Sequence, residues 1–276
     1  MEEKLKSTID KIIRLANQNA EFGKELRKRL RMASSSIINT TDGKIDDIYE
    51  YCIEKVVRRQ AEEFYADFPL SSISHILVKD FCRMESFRRK DNFGDFCLSL
   101  YQQIECITNK LCESPTLATI VEKMIGCPAY VKYTEPTIEN RIGNYTIASL
   151  LFPGQNKDTG YKYSVEKSNI ELKSQYAKDK IRIIVYFLGY QCVMKNSDYE
   201  NFKEFTSVLS DIYFCRNTNH RGNASTLWEQ ETLNRIISHK GIYYLKFLGT
   251  LTEYVDCVKK GWAKINEILT YAETLK

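Results

Sequence analysis

The segment Asp211-Ile212-Tyr213-Phe214-Cys215-Arg216-Asn217-Thr218-Asn219-His220-Arg221-Gly222 gathers an arginine, two asparagines and one of the chain's three histidines within five residues. If the segment is helical, Arg216 and His220 stand one turn apart on the same face. As a structural pair they are poor, because each disfavours the positive form of the other. Around a phosphate they become complementary. A guanidinium grips two phosphate oxygens with its fork, and an imidazole takes or gives a proton near neutral pH. The same residues also suit a helix end. Arginine is favourable in a last turn, Asn217 or Asn219 can adopt a left-handed cap, and Gly222 lets the chain turn away, leaving His220 in a loop. The spacing alone is not rare, since Arg235 and His239 repeat it without an asparagine between them.

The elements that must position this segment are helices. Phe202, Phe205, Leu209 and Ile212 lead into it at helical spacing, which predicts a helix over about 198–217. Further helices are expected over 178–195, 226–249 and 250–274. In the N-terminal half, residues 2–31 carry an amphipathic stripe through Leu5, Ile9, Ile12, Ile13, Ala16, Phe22, Leu26 and Leu30. Asn17-Gln18-Asn19 marks a break within it. A helix from about Asp46 to Phe68 is stopped by Pro69. Another carries Ile76, Leu77, Phe81 and Met84, and one more starts around Asp91-Asn92. A shorter one has Pro115 in its first turn and ends near Gly126. Phe93-x-x-Phe96-x3-Leu100 echoes Phe202-x-x-Phe205-x3-Leu209, as duplicated halves would, although amphipathic spacing accounts for the echo equally well.

Residues 127–176 differ. They hold three of the five prolines, and Tyr161–Val165 and Ile170–Leu172 alternate about a polar turn, as a short β-hairpin would. The expected organisation is therefore mainly α. It comprises an N-terminal helical segment 1–31, a helical half 45–126, an irregular insertion or linker 127–176, and a C-terminal helical bundle 177–276.

Composition narrows the class. With 43% hydrophobic and 28% charged residues the chain is an ordinary globular protein, and its net charge of +4 does not by itself demand nucleic acid. Positive charge is clustered locally, however. Lys24, Arg27, Lys28, Arg29 and Arg31 form one group, and Arg83, Arg88, Arg89 and Lys90 another, each readable as a solvated helix face or as a nucleic-acid contact. Glu85 lies at salt-bridging distance along the helix from Arg88 and Arg89. Glu105 is a carboxylate within an apolar helix, with no partner visible in the sequence.

The nine cysteines are scattered, include no Cys-x-x-Cys, and sit among apolar neighbours, which suits buried thiols in a reducing compartment. No secretory leader is recognised, and the longest apolar run, around Ile183–Tyr190, is too short to span a bilayer. A cytoplasmic protein without a membrane role is expected. There is no Gly-x4-Gly-Lys-Ser/Thr loop, Gly-x-Gly-x-x-Gly, Gly-x-Ser-x-Gly or His-Glu-x-x-His. No cofactor and no metal site are expected.

Arg216, Asn217 and His220, with a helix before them and a long helix after, resemble the signature of the HEPN superfamily (higher eukaryotes and prokaryotes nucleotide-binding). In these compact helical domains an arginine, very often followed by asparagine, precedes a histidine. Many are metal-independent endoribonucleases of toxins and defence systems. The resemblance covers about residues 178–275, and its diagnostic part is the short motif. Only three residues separate Arg216 from His220, a shorter gap than the family usually has. Each residue removed from a helical gap rotates the histidine by about 100°, which a local unwinding at Asn217–Asn219 would absorb.

The resemblance implies cleavage of single-stranded RNA. His220 would serve as general base or acid, Arg216 would stabilise charge on the scissile phosphate, Asn217 would position either, and Arg221 would add a phosphate contact. It also implies a homodimer with the cleft across its two-fold axis, and an inhibitory or activating protein partner. The rival reading of the same residues is a non-catalytic helical module that binds RNA or a protein through its basic surface. A third is a purely structural interaction protein.

Overall fold

A computed structural model describes residues 2–34, 41–127, 147–151, 172–190, 196–221 and 227–275. Among these residues the regular structure is helical throughout, with no strand. The chain divides into two compact units, Met1–Phe64 and Tyr65–Lys276. That division falls inside the 45–126 stretch that periodicity alone groups together.

The first unit contains α1 (Glu2–Gln18), α2 (Ala20–Ser34) and α3 (Thr41–Phe64). The expected break falls on Asn19, whose Oδ1 accepts the Phe22 backbone N–H at 3.0 Å and so caps α2. The bend brings Gly23 onto the preceding helix. A Cβ there would lie 2.8 Å from the Ala16 carbonyl oxygen, so the close approach requires glycine. The small core consists of Phe22, Leu26 and Cys52, with Ile12, Leu15, Ala16, Ile48 and Tyr51 packed on it. Ile9 and Ile13, which the periodicity assigns to the apolar stripe, remain about half exposed (48% and 51%).

The second unit is organised around α5 (Phe93–Cys112), which packs against α4 (Ser74–Arg89), α8 (Ala177–Val185), α9 (Asn196–Arg221) and α11 (Lys240–Ala263). α5 is buried on most of its circumference, as a central helix must be. Each of its fully enclosed Leu, Ile and Phe side chains contributes about 1.5–3 kcal/mol. Asn92 caps its start by accepting the Asp95 N–H at 3.2 Å. Asp91 turns the chain from α4 into α5 in a left-handed conformation (φ 55°), and its carboxylate is held by Lys240 and Tyr244 of α11. α6 (Pro115–Met124) has Pro115 in its first turn, as expected, is capped by Ser114, and packs against α12 (Ile265–Thr274).

The hairpin expected over Tyr161–Leu172 falls outside the described residues, apart from Leu172 itself. That residue opens a 3-10 turn, Leu172–Ser174, and not a strand. Within the same stretch, Ile147–Leu151 forms a short helix, α7. It is tied to the end of α6 by Ile147 N–H to Cys127 O and Ala148 N–H to Ile125 O, both 2.9 Å. α8 continues into one π-helical turn, Tyr186–Tyr190. This turn lies so close to α11 that a Cβ at Gly261 would overlap the Leu188 carbonyl. α10 (Leu227–Ser238) connects α9 to α11. The two segments that echo each other in sequence, α5 and α9, pack together.

Candidate functional site

α9 settles one of the two alternatives for its own C-terminal segment. The helix runs without interruption to Arg221, so Arg216 and Asn217 do not end it, and no unwinding at Asn217–Asn219 absorbs the short gap between Arg216 and His220. Three asparagine and threonine positions in succession each cost only a few tenths of a kcal/mol relative to better helix formers. The preceding turns of α9 are already formed and propagate through them cooperatively. Positions 216 and 220 are therefore one helical turn apart. The side chains of Asn217, His220 and Arg221 lie outside the described residues.

Arg216 itself is well defined. Phe202, Phe205, Leu209, Ile212 and Cys215 bury the inner face of α9, which leaves Arg216 at the margin of that face, directed over α5. Its guanidinium carbon lies 5.1 Å from the ring centre of Tyr101 and 5.9 Å from that of Tyr213. One guanidinium nitrogen lies 3.7 Å from Glu105 Oε2. Tyr101 and Glu105 are one turn apart on α5 and so present a ring and a carboxylate on one face. Tyr101 is fully buried, and its ring packs 5.5 Å from that of Tyr213. Burial, with the Glu105 charge adding to it, raises the Tyr101 hydroxyl pKa far above that of an ordinary phenol, so it stays protonated.

The setting distinguishes Arg216 from the ordinary surface arginines of this chain. Its side chain is 25% exposed, against 66% and 69% for Arg58 and Arg59, which pair with Glu62 and Glu63 along the outside of α3. Two rings and a carboxylate surround the guanidinium, and cation–π contact is worth more in such a partly desolvated place. At 3.7 Å the carboxylate is an ionic neighbour and not a tight hydrogen-bond acceptor.

The second Arg-x3-His pair has no comparable setting. Arg235 is 61% exposed and reaches Asp211 at 4.0 Å. His239 is exposed, and its Nδ1 lies 3.0 Å from the Arg235 carbonyl at the end of α10.

The remaining candidates lie elsewhere. Arg88 forks onto Glu85, with Nη2 2.7 Å from Oε2 and Nε 3.1 Å from Oε1, which makes this part of α4 a salt-bridged face. Arg89 is half-buried on the same turn. In the first unit, Lys24 and Lys28 line a groove with Lys55, Arg58 and Arg59, interspersed with Glu21, Glu25 and Glu62. Arg29 pairs with Glu25 at 3.3 Å and lies over the Tyr51 ring at 4.4 Å. The side chains of Arg27 and Arg31 are outside the described residues.

Sequence reasoning identified Arg216 but missed its surroundings. Tyr101 and Tyr213 resemble other core aromatics, and Glu105 finds its partner on a different helix. The available signal was local: Tyr101 and Glu105 at i,i+4, and Tyr213 and Arg216 at i,i+3. Comparison with protein-family models, with curated proteins and with solved structures finds no match. No helix among the described residues is long and apolar enough to cross a membrane.

Proposed function

We propose that this chain is a HEPN-like, metal-independent endoribonuclease that cleaves single-stranded RNA. The observation that carries this reading is the unbroken α9, which sets positions 216 and 220 one turn apart while Arg216 is held over Tyr101 and Tyr213 beside Glu105. On a continuous helix a gap of three residues keeps both groups within about 40° of one another, whereas a gap of four would separate them by about 140°. The short spacing therefore favours a common target, in an arrangement that differs from the one the family's longer gap would give.

In the proposed reaction His220 accepts the proton of a ribose 2′-OH, and the 2′ oxygen attacks the adjacent phosphorus. The bond from phosphorus to the 5′ oxygen breaks, and that oxygen takes up a proton. The products are a 2′,3′-cyclic phosphate and a 5′-hydroxyl. Arg216, fixed before substrate arrives, stabilises the charge that builds on the phosphoryl oxygens. Asn217 positions the imidazole or the phosphate, and Arg221 adds a contact to a neighbouring phosphate. The basic side chains Lys24, Arg27, Lys28, Arg29 and Arg31, with Arg88 and Arg89, contribute to RNA attraction to the extent that their acidic neighbours leave them available. We further propose a cytoplasmic homodimer, acting as a bacterial toxin or phage-defence effector under the control of a protein partner.

A direct test is incubation with end-labelled single-stranded RNA in excess chelator, followed by analysis of the fragment ends. Cyclic-phosphate ends are expected. Fragments with 3′-hydroxyl ends, or cutting abolished by chelator, would contradict the reading. The alternative, a non-catalytic helical module, draws on the same Glu105–Arg216 ion pair, which could equally serve to shape a binding surface. It is distinguished by RNA binding without cutting that persists in His220→Gln.

A further inference from the structure

The first unit encloses less than its helices could. Among the described residues, α2 lies along α1 but approaches α3 at few points, and the cluster buried between these helices consists of Phe22, Leu26 and Cys52. Small units with so little core are often completed by association with another chain. The unused space is a groove of about 1120 Å³ between α2 and α3, reached also by Leu15 and Gln18 of α1. A helix is about 10–12 Å across, so this volume accommodates about two turns of one. Every lining residue belongs to the first unit.

The lining combines an apolar floor with a charged rim. Phe22, Tyr51, Cys52 and Val56 are buried or half-buried, whereas Lys24 and Lys28, one turn apart on α2, and Lys55 on α3 are exposed beside them. Other cations of this unit are already engaged: Arg58 by Glu62, Arg59 by Glu63 and Arg29 by Glu25. Among the described residues Lys24, Lys28 and Lys55 have no ion-pair partner, and the Lys55 ammonium lies 5.5 Å from the centre of the Tyr51 ring.

Charge and ring access separate the candidate occupants. An RNA strand would bring phosphates to the lysines, but Glu21 and Glu25 alternate with Lys24 and Lys28 along α2, so a continuous polyanion meets carboxylates on the same rim. Its bases would also need a free ring to stack on. Tyr51 already carries Phe22, nearly parallel at 6.3 Å, and the Arg29 guanidinium at 4.4 Å. A second copy could offer the half-exposed Ile9 and Ile13 of its α1, but Lys6, Lys11 and Arg14 flank them against the single acid Asp10, so like charges would meet. A helix of another protein sets its charges residue by residue. Acids can then stand opposite Lys24, Lys28 and Lys55 while other positions face Glu21 and Glu25.

We propose that this groove receives an amphipathic helix of a partner protein, whose apolar stripe covers Phe22, Tyr51 and Val56 and whose acidic residues pair with Lys24, Lys28 and Lys55. The mode is helix-in-groove recognition, carried by apolar side chains at i, i+3 or i+4, and i+7. With the helix in place, Lys24 and Lys28 are withdrawn from RNA. The inference rests on the reading above only for the partner's regulatory role; docking itself requires no RNA cleavage.

The test uses the full chain and a phage-displayed library of 16-residue peptides, with leucine fixed at four helix-spaced positions and the flanking positions free to be Glu, Lys or Gln. Selected peptides are synthesised, and their affinities are measured by fluorescence anisotropy. They are expected to be rich in Glu, to become helical on binding and to bind more tightly at low salt. Lys24→Glu, Lys28→Glu and Lys55→Glu, all at exposed positions, should each weaken binding roughly five- to tenfold. Exchanging Glu for Lys in the peptide should restore affinity for the reversed chain. Val56→Trp should block binding with the rim charges intact, which separates occupation of the groove from charge attraction alone. Circular dichroism establishes that each variant is folded.

Selected peptides without an acidic bias, or with equal affinity for the native chain and all folded variants, would overturn the proposal. Light scattering that shows a dimer dissolved by Val56→Trp would overturn it in favour of a second copy. A 2′-O-methyl oligouridylate that binds through Lys24 and Lys28 when no peptide does would overturn it in favour of RNA. None of these readouts involves cutting. A chain that never cleaves RNA but binds acidic helices at this groove therefore keeps the docking site and rejects the ribonuclease.

Discussion

Glu105 of α5 and Arg216 of α9 form an ion pair at 3.7 Å, with the guanidinium lying over the Tyr101 ring one turn before Glu105. The relationship couples the core to the candidate site. Tyr101 is fully buried and cannot move without repacking α5 against α9, so the arginine above it inherits the rigidity of the core. Preorganisation of this kind separates a group that stabilises developing charge from one that must first find its place.

Arg216→Lys is expected to retain the charge and lose the function. Lysine cannot spread a planar fork over two rings or grip two phosphate oxygens. Activity should fall by roughly a hundredfold or more, a loss of about 2.7 kcal/mol or more in transition-state stabilisation. Because the pair is partly exposed, folding stability should change by about 1 kcal/mol or less. Parallel turnover and urea-denaturation measurements check both halves. Glu105→Gln should retain folding likewise and lower kcat more than it changes KM, since it loosens the arginine without removing it.

The core contains an asymmetric hydrogen bond. The Thr108 hydroxyl donates to Ile104 O at 2.7 Å and lies 2.6 Å from the Tyr254 hydroxyl, which must then be the donor to Thr108. Tyr254→Phe should therefore cost about 1 kcal/mol, while Thr108→Val should cost about 2–3 kcal/mol by leaving a buried phenol unpaired. Equal costs from the two in denaturant titrations would reject this polarity.

Glycine substitutions in α11 should have opposite signs. Gly249→Ala meets open space in mid-helix and should stabilise by up to about 1 kcal/mol. Gly261→Ala would drive a methyl group into the Leu188 carbonyl and should destabilise by about 1–3 kcal/mol. Thermal unfolding of the two variants provides the comparison.

Asp91 gives the acid limb a testable component. Its carboxyl pKa is lowered, chiefly by the hydrogen bond from Lys240, so its stabilising effect is fully present above the unfolded pKa of about 3.9. That effect is lost as pH falls through the lower folded value. Lys240→Met should thus melt below the native chain at pH 7, and the difference should vanish as the pH is taken well below 4. A difference that persists at low pH would place the role of Lys240 in packing and not in charge.

The parts of the fold that were legible in sequence are those governed by local chemistry. The break at Asn19, the helix start at Asn92 and Pro115 in a first turn fall where the sequence places them, because these signals act within about three residues. The end of α9 was less legible. Asn217–Asn219 suit a cap and a helix interior almost equally, and the length of helix already formed decides between them. The division at Phe64 and the pairing of Glu105 with Arg216 depend on which helices meet, information that period and spacing do not carry. Ile9 and Ile13 show the same limit. The stripe on α1 is wider than the core that covers it, and the sequence does not say which edge stays outside.

The most direct measurement is cleavage of a labelled single-stranded RNA in excess chelator by the native chain, Arg216→Ala and His220→Ala, each first shown to be folded. The account predicts cutting by the native chain and its loss in both variants, with RNA binding retained by His220→Ala. Undiminished cutting in either folded variant would contradict the assignment of Arg216 and His220 as the catalytic pair.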